Sequence, residues 1–246
     1  MNIVAPQTLF MKAKPSERNI LFLHSYTGSP NDFRIIGHSL VQNNMSVYLP
    51  LFTGHGTSNP IDILQKGSVD AWWKDTCRAI EHLTTKHLIV IGLSLGSIFA
   101  LRALVEYPQI EAGVVLGCPV EATDFTAVNA GFYQYVQKID TLQQVDVATK
   151  AQHMRIAQQK LPKALHDIQK QAVQVKQQLK AIKQPLFIGH GQEDQIIDPK
   201  VALNLVDNFP DQQVNLHIYP KAGHVITVNQ ARPALTHDLI KFLTVN

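Results

Sequence analysis

His87-Leu-Ile-Val-Ile-Gly-Leu-Ser-Leu-Gly96 is the stretch on which the reading of this chain turns. Its first six residues, His87 to Gly92, form a near-continuous apolar run, the pattern of a parallel strand buried on both faces. From Leu95 to about Tyr107 the spacing becomes that of an amphipathic helix. Between the two lies Gly92-Leu-Ser-Leu-Gly96, a G-x-S-x-G pattern. Alone the pattern is only moderately informative, since small residues cluster by chance; the strand before it and the helix after it give it meaning. In that setting it reads as a nucleophile elbow. A sharp strand-to-helix turn lifts the Oγ of Ser94 above the sheet, and the flanking glycines let strand and helix approach without a Cβ clash. The plainer alternative is a glycine-rich turn that merely caps a helix.

Outward from this unit, strand-length apolar runs alternate with helix-length amphipathic stretches, the order of βα units on a parallel sheet. Upstream, Ile20-Leu-Phe-Leu-His24 is the first clear strand, Ser29 caps and Pro30 opens a helix ending near Asn43-Asn44, and a short strand follows at Val47-Tyr-Leu49. A loop rich in Gly and His, Thr53-Gly-His-Gly-Thr57, then leads to a helix over roughly Val69 to Thr84. Downstream, Ala112-Gly-Val-Val-Leu116 is another buried strand, and there the alternation breaks. From about Glu121 to Lys183 there is no strand signal, and Gln, Lys and Ala dominate. Within it Leu161, Leu165, Ile168, Ala172, Val175, Leu179 and Ile182 alternate steps of four and three, one apolar stripe on a helix. A coiled coil would use the same spacing, but about three heptads following Pro162 fit better a helix packed on its own domain. Strands resume at Pro185–His190 and Val214–Tyr219, with a helix from Pro199 between them and a last helix at the end. The reading is one α/β domain, residues 1–120 and 184–246, carrying a helical insertion at 121–183.

Composition narrows the function classes. With 45% hydrophobic and 17% charged residues in 246, the chain can bury a sizeable core. A net charge of +3, without Lys/Arg runs or aromatic–basic interleaving, argues against a nucleic-acid partner. The two cysteines, Cys77 and Cys118, have no CxxC spacing and read as small core residues. There is no HExxH and no Cys/His cluster, so neither a metal nor another cofactor is expected. Met1-Asn-Ile-Val-Ala-Pro6 lacks the basic-then-apolar pattern of a signal peptide, and no run approaches the ~20 apolar residues of a membrane span, so the default expectation is cytoplasmic.

A serine hydroxyl is a weak nucleophile without a base. When an elbow sits on a parallel sheet, the acid and then the histidine follow at the C-terminal ends of later strands. Gly191-Gln-Glu-Asp194 follows one such strand and Lys221-Ala-Gly-His224 the next, so Asp194 and His224 complete a triad with Ser94. Asp198 is the competing acid, but Asp198-Pro199 has the form of a helix N-cap and first turn. Among other histidines, His217 lies within a strand, His237 within a helix and His24 at a strand end, while His55 reads as a turn residue bordering the site. The oxyanion of a tetrahedral intermediate needs preset donors. These are the backbone N–H of Leu95, after the nucleophile, and that of Tyr26, after the first strand. Trp72 and Trp73, on a predicted amphipathic helix, read as packing residues.

His24-Ser-Tyr-Thr-Gly28, Gly54-His-Gly56, Asp70-Ala-Trp-Trp73, Gly92-Leu-Ser-Leu-Gly96 and Gly223-His-Val-Ile-Thr-Val228 together resemble the small bacterial carboxylesterases, a group that includes monoacylglycerol-lipase-like enzymes. The matching segments run from the first strand to the last loop. The resemblance implies an α/β-hydrolase fold, hydrolysis of short- to medium-chain esters without a cofactor, and a small helical cap. It supports Ser94, Asp194 and His224 as triad, with Tyr26 and Leu95 as oxyanion donors. Two positions depart from the family: Ser25 stands where Gly is usual, narrowing the loop's access to positive φ, and Ser97 stands where a second Gly is frequent. The insertion leaves the sheet beside Ser94 and its stripe needs a surface, so it is expected to cap the mouth of the site and bind the acyl chain. Two other functions stay open: the same machinery acting on a thioester or a carbon–carbon bond, and a non-enzymatic binding protein, against which an intact triad argues.

Overall fold

Strands β1 (Leu9–Met11), β2 (Arg18–Leu23), β3 (Met45–Leu49), β4 (Leu88–Leu93), β5 (Ile110–Leu116), β6 (Leu186–Gly191) and β7 (Val214–Tyr219) form one sheet in the order β1-β3-β2-β4-β5-β6-β7. The computed structural model describes residues 5–16, 18–83, 87–122, 125–209 and 214–246. All neighbours pair in parallel except the edge pair β1–β3, in which Phe10 lies opposite Tyr48. Nothing in the sequence signals β1: three half-exposed residues are too few to show a period. The end of the third expected helix, at Thr84, lies outside the described residues.

The central strand β4 is buried at every position, which is why its sequence is apolar without alternation. Its Leu88 and Val90 face the layer made by α3 (Val69–His82), α4 (Leu95–Glu106) and α6 (Val147–Lys176), while Ile89 and Ile91 face α1 (Arg34–Gln42) and α8 (Arg232–Val245). Ser29 caps as expected, accepting from the Asn31 N–H with Asp32 completing a capping box, but the first turn, Pro30–Phe33, is 3-10 and α1 follows it. Strand order reverses between β2 and β4, so the crevice at their C-terminal ends is the switch point at which open α/β sheets bind ligands.

Between β5 and β6 the chain forms α5 (Thr126–Leu142), then α6, then a 3-10 turn at Leu179–Ala181. Helix α6 does not begin after Pro162, as expected, but runs through it for 30 residues. Pro162 and Gln158, whose carbonyl loses its partner, are both on the exposed side, so the freed carbonyl is open to solvent. The seven stripe residues are all buried, Leu165 being the most exposed at 6%. They enter the layer on α3 and α4, where Arg102 of α4 also donates to Gln171 at 3.0 Å. Helix α6 packs on α5, α4, α3 and a short helix at Asp62–Gln65, and its stripe shares one buried cluster with α4 and with Tyr26, Leu95 and Phe132.

Trp72 is buried and donates Nε1–H to the Thr53 carbonyl at 2.9 Å, while Trp73 lies against Phe99 with the Arg102 guanidinium over its ring. Both are packing residues. Cys118 is buried, and burial pushes its thiol up to about 12; Cys77 is only half-buried, so just one of the two is a core residue. No described helix is long and apolar enough to cross a membrane.

Candidate active site

Ser94 joins β4 to α4 with φ 52° and ψ −114°, a strained conformation for a residue with a Cβ. Its N–H donates to Leu116 O at the end of β5, at 2.8 Å. The turn is tight enough that a Cβ on Gly92 would lie 2.2 Å from Gly96 O, and one on Gly96 would lie 2.0 Å from Leu23 O. Only glycine lets β2, β4 and α4 meet there. Ser97 replaces a glycine without harm: its hydroxyl is shared between Gly92 O at 2.9 Å and Leu116 O at 3.0 Å, tying the elbow to both strands. Leu95 is the first residue of α4, so its N–H is one of the helix-start amides without an intrahelical partner.

The loop after β2 is held by two buried histidines and a half-buried carboxylate whose roles sequence reasoning missed. His24 donates Nδ1–H to Ser25 O at 2.8 Å and accepts the Phe52 N–H on Nε2 at 3.1 Å. Burial, and next the neighbouring His55, hold its pKa well below the usual histidine range. His55 donates Nε2–H to Tyr26 O at 2.6 Å, and burial pushes its pKa down to about 4. The Asp32 carboxylate accepts from the Ser25 hydroxyl at 2.8 Å and the Ser25 N–H at 3.2 Å; burial raises its pKa while these bonds oppose the rise. Neither Ser25 nor Tyr26 has a positive φ. The expectation that a residue with a Cβ constrains this loop is thus corrected: no left-handed residue is needed, and the hydroxyl that replaces hydrogen is a tether. The Tyr26 ring stacks on Phe132 of α5 and meets Trp72 edge-on, with its phenol buried and unpartnered.

Asp194 follows β6. Its Oδ1 accepts the Ile196 and Ile197 N–H groups at 2.8 and 3.0 Å, and its Oδ2 lies 2.7 Å from His224 Nδ1 and 3.0 Å from His190 Nε2. Burial pushes the Asp194 carboxyl up, but the bonds from His190 and His224 outweigh it and hold it well below the usual carboxylate range. The loops carrying Asp194 and His224 are knitted by Glu193 N–H to Ala222 O at 2.9 Å and Gln192 N–H to Tyr219 O at 2.8 Å. The His224 ring lies over Gly117, where a Cβ would stand 3.2 Å from it. Since the Ser94 N–H hangs on Leu116, elbow and imidazole share the end of β5. Asp198 is exposed and accepts the Lys200 N–H at 2.9 Å, while the N-cap falls on Pro199, one residue later than expected. His217 stacks on Phe187 within β7, away from this edge. The missed histidines had one faint signal: His24 and His190 each follow an apolar run at the sheet edge that carries the elbow. Among the described residues, no group of three or more His, Cys, Asp or Glu side chains is placed to hold a metal ion.

A model of the family described as serine aminopeptidase, S33, matches residues 14–231, nearly the whole of this architecture. The chain belongs to the S33 family. This S33 chain is 24% identical over 246 residues to a carboxylesterase of Bacillus subtilis (strain 168), covering 99% of this chain and 98% of the relative. It is also 24% identical over 242 residues to a thermostable monoacylglycerol lipase of Bacillus sp. (strain H-257), covering 91% and 89%. Among solved structures, a monoacylglycerol lipase of Paleococcus ferrophilus superposes with a TM-score of 0.71 at 16% identity, over 97% of this chain and 98% of that one. Sheet, family and relatives agree on an α/β-hydrolase of the carboxylesterase and monoacylglycerol-lipase kind.

Proposed function

We propose that this S33 protein hydrolyses carboxylic esters through an acyl-enzyme on Ser94. His224 takes the Ser94 proton as the oxygen attacks the ester carbonyl, and Asp194 keeps the imidazole in the tautomer that accepts on Nε2. The N–H groups of Tyr26 and Leu95 stabilise the oxyanion. The alcohol leaves with the proton from His224, and water releases the acyl group by the same route. The observation that carries this reading is the 2.7 Å contact from Asp194 to His224 at the sheet edge bearing the strained Ser94 turn. Residues 121–183 form the cap in this reading, with α5 as the part that meets substrate. A groove of about 490 Å³, whose lining holds none of Ser94, Asp194 and His224, runs between Gly28 and Asp32 of the oxyanion loop and Tyr135, Ile139 and Leu142 of α5, and in this reading it takes the far end of the acyl chain. Two unpaired cysteines fit a reducing, cytoplasmic location.

The test is a panel of esters, thioesters and aminoacyl amides of graded length, run on the full chain and on Ser94→Ala. Esters of short to medium length should be turned over fastest. The variant should remain folded, lose labelling by a serine-directed phosphonate, and lose on the order of 10⁴–10⁶ in kcat. Faster thioester or amide cleavage would move the substrate class, and normal turnover by folded Ser94→Ala would remove the mechanism.

A further inference from the structure

Asp194 meets a second histidine that the mechanism above does not use. His190, the last residue but one of β6, has 1% of its surface exposed, and its Nε2 lies 3.0 Å from Asp194 Oδ2 and 3.1 Å from the Ile197 carbonyl. Both neighbours accept, so Nε2 carries a proton. The other ring nitrogen, Nδ1, is buried without a partner. A proton there would be a buried donor with no acceptor. His190 therefore presents its Nε2–H to Asp194.

The Asp194 side chain is wholly enclosed and meets four donors: the Ile196 and Ile197 N–H groups on Oδ1, and His224 and His190 on Oδ2. These match the roughly four lone-pair sites of a carboxylate. A carboxylate held by two donors at each oxygen cannot rotate without breaking bonds that no water replaces. We propose that His190 is a positioning residue, its Nε2–H fixing the Asp194 carboxylate against the His224 imidazole. This rests on the Ser94–His224–Asp194 reading. The other titratable groups facing this unit are few. Asp32 acts on His224 from the oxyanion loop; Glu193 and Asp198, on the Asp194 loop, are exposed; and α7 (Lys200–Val206) buries only Val201, Ala202 and Leu205.

Two substitutions separate positioning from packing. His190→Gln places an amide N–H where Nε2 stands, and His190→Phe keeps the ring but removes the donor. In the full-length enzyme, His190→Phe should lower kcat about tenfold with KM nearly unchanged. His190→Gln should restore most of that loss. A kcat unmoved in His190→Phe, or lowered equally in both variants, would overturn the inference. Should His190→Phe not fold, ¹⁵N spectra of the parent decide: the His190 proton should sit on Nε2, and an Nδ1–H tautomer would overturn it. Failure of the triad itself would show separately, as turnover surviving in Ser94→Ala and Asp194→Asn.

Discussion

Asp194 and Asp198 share one loop but differ in what their oxygens touch. Asp194→Asn would turn an amide N–H toward a ring N–H and favour the wrong imidazole tautomer, so kcat should fall roughly 10³–10⁴-fold. Asp198→Asn should keep most activity, since Asn can accept the Lys200 N–H as Asp does. Steady-state rates on one ester check both, and the reverse order would reassign the acid. Tyr26→Phe tests a different atom. It removes the unpartnered phenol and leaves the backbone N–H, so turnover of plain esters should hold while stability to urea rises by about 1 kcal/mol. A loss of rate would mean that the phenol reaches the substrate. Ser94, Asp194 and His224 were legible as candidates because each sits at a fixed place relative to a strand end. His24, His55, His190 and Asp32 were not. The roles of His24 and His55 lie in tertiary bonds, such as His24 to Phe52 across 28 residues and His55 to Tyr26 across 29, which no local spacing encodes.

At the scale of elements, the insertion divides between two tasks. Helix α6 closes the core against α4, so Leu161→Ala should cost about 2–5 kcal/mol in urea unfolding and leave the acyl-chain profile as it was. Helix α5 carries the groove, and Ile139→Trp should do the opposite: little change in stability, and a shift of the kcat/KM optimum toward shorter esters. Similar profiles in parent and Ile139→Trp would remove α5 from substrate binding. An amphipathic stripe shows that one face is covered, not by what. That is why the period of α6 was readable while its partner was not, and why Pro162 misled about its start. Strand β1 left no trace because its place comes from pairing with β3 rather than from its own three residues.

The whole molecule carries a pH dependence built from its neutral histidines. His55 has a folded pKa of about 4 against an ordinary value of 6.5, because burial disfavours the charged ring. Below about 6.5 the unfolded chain takes up a proton that the folded chain refuses. Stability is therefore whole above that pH, falls as pH falls, and stops falling on this account below about 4. Between pH 7 and pH 5 the loss should be about 2 kcal/mol from His55, with His24 adding in the same direction. His55→Gln keeps a donor for Tyr26 O without titrating, and should flatten the dependence by that amount in urea midpoints at the two pH values. An unchanged dependence would mean that His55 is charged in the folded protein. The alternation of runs made the parallel sheet readable, whereas the switch between β2 and β4 was not, since strand order is decided by packing across the whole sheet. One consequence of the chain order concerns synthesis. On the proposed triad the nucleophile is made at residue 94 and its base only at residue 224 of 246. At ~5–20 residues per second, a ribosome-bound chain thus carries an unactivated serine for on the order of ten seconds. On that triad, esterase activity begins only once residue 224 has emerged, so a translation product truncated before it is chemically silent.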